Sequence, residues 1–254
     1  MDDKTLFRLM VDLHKDGLRQ GPGSIKTTRR ALDLTGLGKS ELLRVADIGC
    51  GTGASTLVLA RELPHSHITA VDLFPAFLDL LVERVQAAGL LDRVQPLEAS
   101  MECLEFAPGS LDLLWSEGAI YNMGFVEGLR AWRPFLRAGG VIAVSEITWL
   151  QPDPPERIRE YWLAAYPQIG TVLEKVTALE GEGYEVLSHF MLPRSDWTRN
   201  YYEPTAERMP AFLKRHQGSA EAAEIIAMEK EEFELYKQFR DWFGYGFYVA
   251  RKRP

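Results

Sequence analysis

A chain of 254 residues, 46% hydrophobic and 26% charged, carries enough apolar sequence for one large core but no run of membrane-spanning length. Its formal net charge of −7 counts against a nucleic-acid partner, which a basic face would attract. Cys50 and Cys103 are too few and too far apart for a disulfide framework or a zinc cluster, so no metal site is expected.

From the N-terminus, Phe7, Met10, Val11, His14 and Leu18 recur at helical spacing, which predicts an amphipathic helix over residues 4–18. The acidic start Met1-Asp2-Asp3-Lys4 lacks the pattern of a secretory leader, and the cytoplasm is the expected compartment. Arg19-Gln20-Gly21-Pro22-Gly23-Ser24 is a strong turn signal, and Ser24 is placed to cap a second helix over residues 25–36. Leu43 to Ile48 then reads as a buried strand. It leads into Asp47-Ile48-Gly49-Cys50-Gly51-Thr52-Gly53-Ala54, with glycine at every second position before a helix that Pro64 stops. Glycines there let the backbone lie against a ligand, and the N–H groups of the following helix start favour an anionic one. Cys50 reads as a small residue in a tight space rather than a nucleophile. A second strand, residues 67–72, ends in Asp72 at the carboxyl edge, where parallel sheets bind ligands.

Two cofactor classes fit this stretch. Gly49-x-Gly51-x-x-Ala54 matches the dinucleotide fingerprint, with Asp72 roughly twenty residues on as the ribose acid. The longer run Asp47-x-Gly49-x-Gly51-x-Gly53 resembles motif I of the class I S-adenosylmethionine-dependent methyltransferases, and dinucleotide enzymes do not usually carry the acid at Asp47. The resemblance implies that Asp47 lies near the methionine amino group, that Gly49, Cys50 and Gly51 admit the homocysteine portion, and that Asp72, with Leu73 after it, holds the ribose. It also implies an N-terminal lid over residues 1–40, with Gln20 or Arg19 near the methionine carboxylate.

Further along, a helix over residues 77–88 and a strand over 93–98 precede Ala99-Ser100-Met101-Glu102-Cys103-Leu104-Glu105-Phe106. That loop is similar to the family segment that contacts adenine; Ser100 stands where an acid is common, and Met101 would pack on the ring face. A fourth strand, 111–115, delivers Ser116-Glu117-Gly118-Ala119-Ile120-Tyr121-Asn122 to the edge where the family faces the transferring methyl. A helix is expected from Asn122 to Arg137, then Ala138-Gly139-Gly140 and a strand over 141–146. The Trp-Ser-Glu-Gly-Ala-Ile-Tyr-Asn and Arg-Gln-Gly-Pro-Gly-Ser segments resemble bacterial small-molecule enzymes of the ubiquinone/menaquinone type.

Two further helices, 156–166 and 170–181, precede strands over 183–192 and 242–250, and the helical residues 193–241 between those strands read as a cap over the substrate. With these elements the resemblance implies an α/β fold, a Rossmann-like three-layer sandwich with a seven-stranded, mainly parallel sheet in the order 3-2-1-4-5-7-6, its last strand antiparallel. One domain spans 1–254. The expected activity is methyl transfer from S-adenosyl-L-methionine to a small-molecule acceptor, C- or O-methylation favoured, leaving S-adenosyl-L-homocysteine. Cofactor contacts are assigned to Gln20, Asp47, Gly49, Cys50, Gly51, Asp72, Leu73, Ser100, Met101 and Ser116. Glu117 is the first choice for a general base, against a structural acid bonded to loop backbone, Tyr121 the second, for orienting the acceptor, and His189 the third. Glu146 and Trp149, at the end of the fifth strand, are placed to line the acceptor side. Trp197, Tyr201 and Tyr202 either anchor the cap or wall the acceptor. An NAD-linked oxidoreductase and a non-catalytic cofactor-binding protein are the rivals, and a homodimer is an allowed assembly.

Overall fold

The structure, a computed structural model, describes residues 2–254. The strands are β1 (Arg44–Ile48), β2 (His67–Asp72), β3 (Val94–Glu98), β4 (Leu111–Glu117), β5 (Leu136–Trp149), β6 (Gly170–Thr171), β7 (Tyr184–Met191) and β8 (Phe243–Lys252). They form an 8-stranded sheet in the order β3-β2-β1-β4-β5-β8-β7, with β6 paired to β5 off that path. The first five strands are parallel, and β8 runs antiparallel to both β5 and β7. The expected order is present; β6, only two residues long, is the additional strand.

Helices cover both faces: α1 (Asp3–His14), α2 (Ile25–Leu34), α3 (Ala54–Glu62), α4 (Pro75–Ala87), α5 (Phe125–Trp132), α6 (Glu156–Ala165), α7 (Val172–Gly181), α8 (Arg194–Trp197), α9 (Glu203–Arg215) and α10 (Ala220–Phe239). Local chemistry sets their ends. Ser24 and Thr27 form a reciprocal capping box at α2, and Pro75 opens α4, where its missing N–H costs nothing. The helix expected over residues 122–137 is shorter than its periodicity implied. A 3₁₀ turn at Arg133–Phe135, containing Pro134, stops it. β5 then starts at Leu136, opposite Leu111, and takes in Gly139 and Gly140 through a register shift against β4.

Three clusters make the core. Leu59, Leu81, Leu113 and Val249 belong to one sheet-facing cluster, and Ile48, Phe125, Trp132 and Tyr248 to another. The third joins the two ends of the chain: Leu9 and Leu13 of α1 pack with Trp197, Phe212, Ile225, Tyr236 and Phe243. The buried stripe of α1 is thus Leu9 and Leu13, while Leu18, expected on it, is 79% exposed. Among the described residues no helix is long and apolar enough to cross a membrane, and no group of His, Cys, Asp and Glu is arranged to hold a metal.

Candidate active site

Where β1 ends, the chain turns sharply through the glycines. Gly49 N and Cys50 N both donate to Val71 O of the neighbouring strand, at 2.9 and 3.0 Å. Gly49 has φ +72°, and a Cβ there would collide with the Ala119 side chain; at Gly51, φ +53°, it would meet the Gln20 amide oxygen. Side chains are therefore excluded by conformation and by space at once. Asp72 ties β2 to this turn: Oδ2 accepts from Gly51 N at 2.8 Å and Oδ1 from Phe74 N at 3.0 Å. Burial raises the Asp72 carboxyl above its usual range, and backbone donors at Phe74, Gly51 and Leu73 partly offset that.

Along these carboxyl ends runs a cavity of about 640 Å³, and Gly49, Cys50, Gly51, Asp72, Leu73, Ser100, Met101, Gln20, Glu117 and Tyr121 all line it. Sequence-expected residues from five separate segments thus share one wall. Trp132 of α5 holds the Met101 carbonyl at 3.0 Å, fixing the loop after β3. Asp47 and Ser116 are not in the wall. Asp47 lies fully buried beneath the turn and accepts from Ser55 Oγ at 2.8 Å and Thr56 Oγ1 at 2.7 Å, while its Oδ1 has no partner. Burial pushes its carboxyl up to about 7 despite those two hydroxyls. Ser116 is equally buried, its hydroxyl unpartnered.

Gln20 reaches the glycine turn, but both ends of its amide are used by the chain itself. Oε1 accepts from Thr52 N at 3.0 Å, and Nε2 donates to Thr52 Oγ1 at 3.1 Å and to the carbonyls of His14 and Gly17. Arg84 completes this latch, donating to Thr52 O and Gly17 O, both at 3.0 Å. Glu117 is not the free carboxylate that a general base requires. Its oxygens accept from Arg19 at 2.5 Å, Thr28 Oγ1 at 2.7 Å and Trp115 Nε1 at 3.1 Å. The same pair neutralises Arg19, the wall's only Lys or Arg among the described residues.

The other candidates separate cleanly. His189 is exposed on β7, its ring stacked on Tyr248. Glu146 is buried behind the sheet edge, 3.5 Å from Lys175, and burial raises its carboxyl to about 7. Trp149 belongs to the cap core. Trp197 stacks on Tyr236 at 4.7 Å and Tyr202 donates to Glu232, so these two anchor the cap, whereas Tyr201 lines the cavity. Sequence reasoning did not place Leu6, Phe7, Met10 and His14 of α1, or Met228 of α10, in the wall. Helical spacing marked most of the α1 face but not what it would meet.

Comparison with known proteins adds the following. Residues 45–140 match the methyltransferase domain family. The malonyl-[acyl-carrier protein] O-methyltransferase of Dechloromonas aromatica is 34% identical over 105 residues, which is 40% of this chain and 35% of that protein. The trans-aconitate 2-methyltransferase of Paracidovorax citrulli is 28% identical over 64% of this chain and 62% of its own length. The chain thus spans about a third of the first of these relatives. Among solved structures, a SAM-dependent methyltransferase from Geobacter sulfurreducens in complex with S-adenosyl-L-homocysteine superposes with a TM-score of 0.84 at 21% identity, over 97% of this chain and 98% of that one. One from Thiobacillus denitrificans, with the same ligand, gives 0.83 at 21% identity over 100% of both chains.

Proposed function

We propose that this chain, whose residues 45–140 form a methyltransferase domain within a class I methyltransferase fold, transfers the methyl group of S-adenosyl-L-methionine to a small-molecule acceptor. The observation that carries the reading is the 640 Å³ cavity, where the glycine turn, Asp72 and Met101 meet under one helix. Its wall fits the cofactor. Asp72 offers a carboxylate for the ribose hydroxyls, Leu73, Phe77 and Met101 offer apolar faces for a flat ring, and the glycines leave the turn open beside them. Asp47 Oδ1, unpartnered beneath the turn, is a free acceptor for the ammonium of the methionine portion. When bound, the cofactor supplies an electrophilic methyl on a sulfonium.

The chain's own residues do the rest. α1 lines the cavity through Phe7 and Met10, and the Gln20–Thr52–Arg84 latch holds the segment after it against the turn. Alignment of acceptor, carbon and sulfur is the main catalytic contribution such a site makes. Glu117, held by three donors, orients the cavity floor and the Arg19 segment. Acceptors enter on the side of Tyr121, Asn122 and Tyr201. A balance of 36 acidic against 29 basic residues supports a small molecule rather than a nucleic acid as partner, and a cytoplasmic setting accords with that reading. Calorimetric titration with S-adenosyl-L-homocysteine and with NAD decides the cofactor: saturable binding of the first alone is expected, and binding of NAD alone would overturn the assignment.

A further inference from the structure

Beyond the cofactor wall, the cavity is lined by His14, Tyr121, Asn122, Tyr201 and Met228. His14 is 5% exposed, and its Nε2 lies 2.9 Å from Glu229 Oε1 on the cap helix α10. The other ring nitrogen, Nδ1, has no partner. An ionised carboxylate only accepts, so Nε2 donates to Glu229, and in the neutral ring Nδ1 then keeps its lone pair. Tyr201 stacks on the imidazole at a centroid distance of 5.9 Å and fixes its plane. A buried histidine in a cavity wall, oriented by an acid on one nitrogen and unpartnered on the other, is the arrangement of a general base.

We infer that His14 is the catalytic base of this site, that Glu229 positions it, and that the acceptor is a neutral, planar, apolar molecule bearing a hydroxyl. The inference rests on the methyltransferase reading above. In the step it assigns, the acceptor oxygen forms the new O–C bond and its proton passes to His14 Nδ1. The C–S bonding pair stays on sulfur, which becomes a neutral thioether, and the positive charge ends on the imidazolium. Charge in the wall supports this acceptor class. Arg19 is paired with Glu117, so no unpaired Lys or Arg among the described wall residues awaits a carboxylate, while Tyr121, Tyr201 and Met228 suit an aromatic body. The charged neighbours are accounted for as well. Glu232, three residues beyond Glu229 on α10, is engaged by Tyr202 Oη at 2.9 Å. Arg208 of α9 donates to Leu13 O and Thr205 Oγ1, and Lys15, on the His14 segment, pairs with Asp12.

The test uses the full chain with S-adenosyl-L-methionine and three acceptors: phenol, 4-nitrophenol and benzoate. At about pH 8.5 phenol must lose its proton at the site, whereas the other two are largely ionised without help. Wild type is expected to methylate both phenols. The His14→Gln variant, which keeps a donor for Glu229, should bind S-adenosyl-L-homocysteine with unchanged affinity. It should lose roughly 100-fold or more on phenol and far less on 4-nitrophenol. Equal losses on the two phenols, no loss, or a wild type that methylates benzoate alone or none of the three would each overturn the inference. A second measurement needs no acceptor: ¹⁵N NMR of the cofactor-free protein should show His14 protonated at Nε2, with a mixture of tautomers in Glu229→Gln. A proton resident on Nδ1 refutes the role even if His14→Gln fails to fold. Failure of wild type to bind either S-adenosyl compound would instead remove the methyltransferase reading itself.

Discussion

Asp72 shows how one side chain serves two structures. Its oxygens already hold the N–H groups of Gly51 and Phe74, and these fix the turn before any ligand arrives. The remaining acceptor capacity faces the cavity, where Asp72 is one of the wall residues. Asp72→Asn keeps the shape and removes the charge. Because hydrogen bonds to a charged group contribute about 1.5–3 kcal/mol, affinity for S-adenosyl-L-homocysteine should fall roughly 10- to 100-fold by calorimetry. Equal affinity in the variant would detach Asp72 from the ribose. Glu117 teaches the opposite lesson. A lone acid at the end of β4 reads as a base, yet Arg19 and Thr28 from two sequence-distant segments claim it beside Trp115 of its own strand, and neither distant donor is visible in its local sequence.

Among the elements, α1 carries two jobs on adjoining faces. Leu9 and Leu13 are buried in the cap core, while Phe7, Met10 and His14 line the cavity. Cap and roof are thereby mechanically one piece, because a helix cannot release one face and keep the other. Leu13→Ala should therefore cost about 2–5 kcal/mol in a urea melt and also weaken cofactor binding, although Leu13 does not line the cavity. A variant that loses stability but binds as tightly as wild type would show that the roof does not depend on the cap. The π-helical stretch Thr198–Tyr202 does similar double duty, sending Tyr202 into the core and Tyr201 to the cavity.

For the molecule as a whole, burial of acids under the sheet edge makes stability depend on pH. Asp47 titrates near 3.8 when unfolded, and folding raises that to about 7, burial being the first cause. The neutral form therefore favours the fold. Its contribution is complete below pH 3.8 and is lost progressively as pH rises to about 7, beyond which the penalty is constant. Urea melts of the cofactor-free protein should show that decline, and Asp47→Asn should flatten it. Glu146, also raised to about 7, titrates in both proteins and cancels from the comparison. Parallel pH profiles for the two proteins would mean that Asp47 is solvated or compensated in solution.

The sequence by itself determined the glycine turn and Asp72 at the end of the second strand, because period-2 and period-3.6 patterns and φ-permissive residues act locally, and the sheet order followed from the family resemblance those motifs carry. It also marked many of the residues that line the cavity, since they lie at strand ends whose place follows from the parallel sheet. Only the tertiary structure decided which charges are free and which are spent. Glu117 meets Arg19 and Thr28, and His14 meets Glu229, across 98, 89 and 215 residues of chain. Such pairings are set by how α1, α2 and the cap come together over the sheet. No local period encodes that docking, so the acceptor side of the site became legible only once the chain was folded.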